Sequence, residues 1–245
     1  SETGEDDPEA PGAMQSRHVV FNLNYFRPHV FGLEAEPEVA AFVAAFNCAL
    51  HDPQLEGMGD GPYSREGFLR GWNAGNAFGY RAIGDKIDPA TVLTVEDSAI
   101  EAVWRWNAGL SRLNETSSEL HFLPRVSWSR DQSGQPISYV VWGEGVAVAI
   151  PSCATHALLA REHRATLFGR KSGLEAKLMR LDEVARLGGC AWTETEGGRL
   201  LLAPTKLPPG PSVLDAFKNG FRSLDELPRP VSMDHVLDAS LVAKS

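Results

Sequence analysis

Two kinds of apolar spacing divide this chain of 245 residues, and the division restricts it to a mixed fold. Before Asn114 the strongest apolar patterns repeat at three- and four-residue steps. After Arg125 they become short runs of β-forming residues separated by turn signals. The later strands come as hairpins rather than as strand–helix–strand units. The expectation is therefore α+β, a mixed, mainly antiparallel sheet with helices packed on it. Residues 1–16 read as a disordered acidic tail and 17–245 as a single domain, with a sub-boundary at the polar break 114–118.

The first half carries two clear helices. Glu36-Pro37 opens one, with proline and acids both suited to a first turn, and Val39, Phe42, Val43, Phe46 and Leu50 form its apolar stripe. Thr94 caps the other, Val95 to Leu113, which carries Ile100, Val103, Trp104, Trp106 and Leu110. Between them Asp52–Pro62 is a loop, and Ser64 caps a short helix bearing Phe68, Leu69 and Trp72. Gly67, Gly71, Gly75 and Gly79 follow at four-residue intervals. On a helix they would share one smooth face, but each costs about 1 kcal/mol relative to alanine. The expectation here is a Gly/Asn-rich bend leading into a strand at Phe78–Ile83. His18–Tyr25 (HVVFNLNY) reads as an opening strand that Pro28 ends.

In the second half, Arg125–Ser129 and Ile137–Trp142 flank the turn signal Asp131–Gly134, and Gly145–Ile150 is a further strand. Pro151-Ser152 opens a helix running to about His163, and Leu174–Leu187 is helical near the end that Gly188-Gly189 stops. Cys190–Thr195 and Arg199–Ala203 pair as a hairpin. Ser212, with Asp215 in capping-box position, and Ser232 cap two terminal helices.

Composition and motifs then exclude function classes. No run of 18 apolar residues exists, so no membrane span is expected, and the acidic start has no leader character. Three scattered cysteines (Cys48, Cys153, Cys190) without a CxxC pair fit a reducing cytoplasm. Phosphate-cradling, dinucleotide, nucleophile-elbow and HExxH motifs are absent. The seven histidines never fall at i,i+3 or i,i+4, so neither a metal site nor a cofactor is expected. A window of seven bases against four acids at 161–186 is too modest for direct nucleic-acid binding in a chain of net charge −9.

Two features remain. The stretch Pro151–His156 sets Cys153 in the first turn of an expected helix, where free amides and the helix dipole activate a thiol, with His156 three residues on. This is the alternative reading, a thiol-dependent hydrolase or transferase; its plainer counterpart makes Cys153 a small buried hydrophobe. The other feature is acidity. Between Pro28 and Ser64 there are six acids (Glu34, Glu36, Glu38, Asp52, Glu56, Asp60) and no lysine or arginine, with Tyr63, Phe68 and Trp72 beside them. Acids around aromatic anchors suit a basic protein partner, because complementary charge speeds encounter and buried aromatics supply affinity. The tryptophans other than Trp72 are read as core.

The opening HVVFNLNY, the helix EVAAFVAAFNCAL and the later ISYVVWGEGVAVAIP leading to LDEVARLGG resemble, in style, bacterial immunity proteins. Those proteins protect a cell from toxins of contact-dependent or type VI secretion systems. The resemblance implies a cognate toxin occluded at its active site, with a basic groove that an acidic surface would attract. No functional residue of that family carries over onto this chain.

Overall fold

Strand pairing organises the second half of the chain. In the computed structural model, which describes residues 19–54, 56–83, 86, 88, 90–116, 121–163, 173–188, 190–195, 198–204, 218–227 and 229–242, the architecture is α+β. The larger sheet has five strands: β4 (Ser127–Arg130), β5 (Pro136–Gly143), β7 (His156–His163), β8 (Gly173–Arg180) and β11 (Arg222–Ser223). Their order is β11-β8-β7-β5-β4, and only the β5–β7 pair is parallel. A second, antiparallel sheet sets β6 (Val148–Pro151) and β9 (Ala191–Thr195) on either side of β10 (Gly198–Ala203). Two small pairs complete the strands: β1 (Leu50–His51) with β2 (Asp60–Gly61), and β3 (Leu93–Val95) in parallel with β12 (Val236–Asp238).

Five helices are described: α1 (Val30–Phe46), α2 (Arg65–Ile83), α3 (Asp97–Thr116), α4 (Leu181–Gly188) and α5 (Ala239–Val242). One apolar cluster joins both halves. Val30, Leu93, Ile100, Val103 and Trp106 from the first meet Trp128, Val140, Trp142, Ile150, Leu159 and Leu201 from the second. The expectation that Trp128 and Trp142 are core residues holds, and Trp104 and Trp192 pack partly buried against the same cluster.

Several local expectations are corrected, each by a partner distant in sequence. The glycine-bearing stretch is no bend and strand; it is the second half of α2. Residues 156–163 and 173–180 are strands rather than helices, although HALLAREH is made of helix formers. β7 is held between β5 and β8, and Ala157 and Leu159, both fully buried, alternate with half-buried neighbours as a strand requires. Only α4, at the glycine-stopped end, keeps the expected helix. α1 begins at Val30, seven residues before Pro37, because the Asp238 carboxylate accepts the His29 N–H at 2.7 Å and so replaces a local cap. Leu50 falls outside α1: Asn47 ends it in a left-handed conformation (φ 47°). Thr94 caps nothing; it lies in β3. Ser232 caps a single 3₁₀ turn, Met233–His235, and Ser212 and Asp215 lie outside the described residues. Finally, among the described residues no strand pairs with 19–24.

Candidate partner-binding site

The glycine face of α2 explains how the site is built. Two segments lie directly on that helix, the stretch 24–27 and the loop 52–58. A Cβ at Gly75 would clash with the Tyr25 ring, and one at Gly79 would come 3.2 Å from Phe26 Cε1. A Cβ at Gly71 would sit 2.9 Å from Gly57 Cα, and at Gly67 2.7 Å from Met58 Cγ. The helix-propensity cost of the four glycines is thus offset by close approach of backbone and rings.

Buried polar side chains staple the two segments down. Asn76, fully buried in α2, donates from Nδ2 to the carbonyls of Tyr25 (2.8 Å) and Arg27 (2.6 Å). Asp52 folds the loop on itself, accepting the N–H of Gln54 at 3.1 Å and of Met58 at 2.9 Å. Arg70 donates to the carbonyls of Glu56 (2.9 Å) and Gly57 (3.1 Å). Burial, with the nearby Asp52 charge, pushes the Tyr25 hydroxyl above its ordinary pKa.

Between these segments and α1 lies an open cleft of about 570 Å³. Phe21, Tyr25, Val39, Phe42, Phe68 and Trp72 form its apolar walls, and His51, Asp52 and Gln54 its polar mouth. The apolar stripe of α1 therefore faces the cleft more than the core. Phe42 packs edge-on to Phe21 (5.1 Å between centroids) and against Phe46 (4.7 Å), and Phe46 is 67% exposed. At the mouth, His51 Nδ1 lies 2.5 Å from Asp60 Oδ1, a contact that raises the imidazole pKa although both groups are exposed.

The expected partner-binding residues divide into two sets. Glu34, Glu38, Glu56 and Asp60 are exposed, and Asp52 is half-buried as the loop staple. Glu36 and Trp72 are buried and Tyr63 is half-buried, and all three serve as struts, Trp72 also lining the cleft. Glu36 accepts a hydrogen bond from the Tyr63 hydroxyl at 2.6 Å and from Arg65 Nε at 3.2 Å, and the Tyr63 pKa is raised by burial and by that bond. Trp72, 4% exposed, covers Gly32 and donates from Nε1 to the His29 carbonyl at 3.1 Å. Sequence reasoning missed Phe21, His51 and Asn76. Phe21 sat within the strand-like pattern, but nothing local shows that His51 meets Asp60 or that Asn76 holds a segment some 50 residues away.

Cys153 does not sit at a helix start. Pro151 ends β6, a short turn follows, and His156 opens β7 with its Nδ1 2.9 Å from Thr155 Oγ1. Burial pushes the Cys153 thiol up to about 11, opposite to the activation a helix terminus would give. His156 is held below its ordinary value by burial and by Arg180.

A second cleft, about 650 Å³, lies between the five-stranded sheet and residues 220–231. It mixes charges, Arg130, Lys177, Arg222 and Arg229 with Asp131 and Glu226, and the carbonyls of Val92 and Gly134 already engage Arg130. Among the described residues, no cluster of three His, Cys, Asp or Glu side chains could hold a metal, and no helix is long and apolar enough to cross a membrane. Compared with protein-family models, with curated proteins and with solved structures, the chain matches none.

Proposed function

We propose that this chain is a binding protein that neutralises a cognate bacterial toxin by occluding its active site, and that it does so with the aromatic cleft and the exposed acids of the same stretch of chain. The observation that carries the reading is the coincidence of the two features. Residues 28–72 hold seven acids against two arginines, and both arginines are occupied, Arg65 by Glu36 and Arg70 by loop carbonyls. Within that same region lie the open cleft and the exposed rings of Phe21 and Phe46. A partner with a basic groove would be steered by the acids of this stretch and anchored by the rings, in the division of labour common to protein interfaces.

The direct test is protection. Cells producing the toxin encoded beside this protein's gene should grow when the protein is co-produced. They should lose at least about tenfold in survival when Glu34, Glu38, Glu56 and Asp60 are all replaced by lysine, since reversing these exposed charges removes steering and adds repulsion. The association rate should fall as salt rises. Undiminished protection by the reversed protein overturns the proposal.

A further inference from the structure

The segment 19–24 (VVFNLN) is rich in β-forming residues, yet among the described residues no strand pairs with it. Among the described residues, the backbone N–H and C=O groups of 19–23 take part in no hydrogen bond with the protein. Val19, Val20 and Phe21 are 61%, 85% and 50% exposed. An unpaired strand-forming backbone beside an apolar surface is a template for another strand.

This template is held in place. Phe21 is fixed edge-on against Phe42, Tyr25 lies on Gly75, and Asn76 grips the carbonyls of Tyr25 and Arg27. From Asn22 to Arg27 burial alternates with period two: Leu23, Tyr25 and Arg27 are half-buried, and Asn22, Asn24 and Phe26 are exposed. The segment is thus anchored at Phe21 and at its Tyr25–Arg27 end before a partner arrives, which lowers the entropy lost on binding.

We propose that the partner docks by strand addition, an extended segment pairing with the backbone of residues 19–24. Its side chains alternate between apolar ones that fit the cleft and basic ones that suit the acid excess of residues 28–72. This rests on the acidic-cleft reading and specifies the partner's shape. Charge selects this occupant over two others. A second copy of the chain would bring the same acidic region against itself. Residues 1–18 carry five acids and one base, the same sign as the acid excess of residues 28–72.

The test uses the full chain and a fluorescent peptide of about eight residues, the length of a common strand, alternating Lys with Val and Phe. Anisotropy titration should show binding that salt weakens. The same residues rearranged to a helical period should bind at least about tenfold more weakly, a difference of 1.4 kcal/mol. Methylating alternate peptide amides gives two registers, because successive N–H groups of a strand point to opposite edges. One register should lose binding about tenfold or more, and the other should keep it. Val20→Pro removes one amide at an 85% exposed residue, so it should keep the thermal unfolding curve. Together with Asn22→Pro, it tests the same edge from the protein's side.

Equal binding by both methylated registers, or by the helical-period peptide, overturns strand addition while leaving the acidic cleft in place. No binding by any basic peptide overturns both readings. A dimer of the chain alone that Val20→Pro dissolves would make a second copy the occupant, which also overturns the proposal.

Discussion

Trp142 and Phe46 are both large aromatic residues on regular elements, yet Trp142, in β5, is 1% exposed and Phe46, at the end of α1, is 67% exposed. The contrast extends to their surroundings. Around Trp142 the sheets seal their interior: Val140, Ile150, Leu159 and Leu201 have no exposure, and the indole N–H donates to the Val146 carbonyl at 2.7 Å. Around Phe46 the helical layer spends its buried volume on polar struts and glycine contacts and leaves rings at the surface. Glu36, Asn76 and Asp238 are all buried there, each in hydrogen bonds to a distant segment. The sheet region is arranged for stability. The helical region is arranged to hold an open cleft.

The largest effect should come from attacking the sealed region. Trp142→Ala leaves a cavity where the surrounding strands cannot collapse, and it should cost about 3–5 kcal/mol, read by urea denaturation. A loss of no more than about 0.5 kcal/mol, the size expected of an exposed site, would erase the contrast.

Glycine substitutions sharpen the comparison within helices. Gly71→Ala gains about 1 kcal/mol of helix propensity. The new methyl meets Gly57 backbone at 2.9 Å, which no rotamer change relieves. Overpacking of about 1–3 kcal/mol should win, giving a net loss and a displaced 52–58 loop. Gly109→Ala, in α3, is the control: its Cβ meets only Leu113 Cδ1, at 3.7 Å, so it should stabilise by up to about 1 kcal/mol. Stabilisation by both would show that the α2 glycines are not there for close approach.

These sites also show how far local pattern reaches. α3, the β4–β5 and β9–β10 hairpins and the acidity of residues 34–60 were legible because each rests on spacing or turn chemistry within a short window. Of α2 only the first half was, under its Ser64 cap; the glycine-bearing half was not, since glycine reads as a breaker until the rings that lie on it are known. The α1 stripe was legible as apolar but not as a cleft wall. Glu36, Tyr63 and Trp72 carry the right chemistry for a surface anchor, and only the fold shows them serving as struts. β7 fails for the same reason in reverse: its residues favour a helix, and two neighbouring strands override them.

The joint between the helical layer and the rest is sensitive to pH. His29, at the start of α1, contacts buried Asp238 of β12 through Nδ1 at 2.5 Å, and this hydrogen bond raises its pKa above 6.5 despite partial desolvation. A raised folded-state value means that the contribution is fully present below pH 6.5 and is lost as pH climbs through that higher value. Thermal unfolding midpoints should therefore fall on the alkaline side of 6.5. His29→Gln should flatten that dependence, and an unchanged slope in the variant would assign it to other groups.

The smallest effect on stability should fall at Phe46, and that is where the two regions differ most. Phe46→Ser removes a ring that is two-thirds in water and touches mainly Phe42. Its unfolding free energy should change by no more than about 0.5 kcal/mol, the range of exposed sites. If the cleft is a docking surface, the same change should weaken the basic alternating peptide by several-fold, because interface aromatics contribute affinity out of proportion to their role in the free fold. Stability and binding then separate at a single residue. Trp142→Val, by contrast, should lower stability and leave the affinity of the folded fraction unchanged. Parallel changes in both properties at Phe46 would mean that the ring is merely poorly packed core, and the exposed surface would lose its functional meaning.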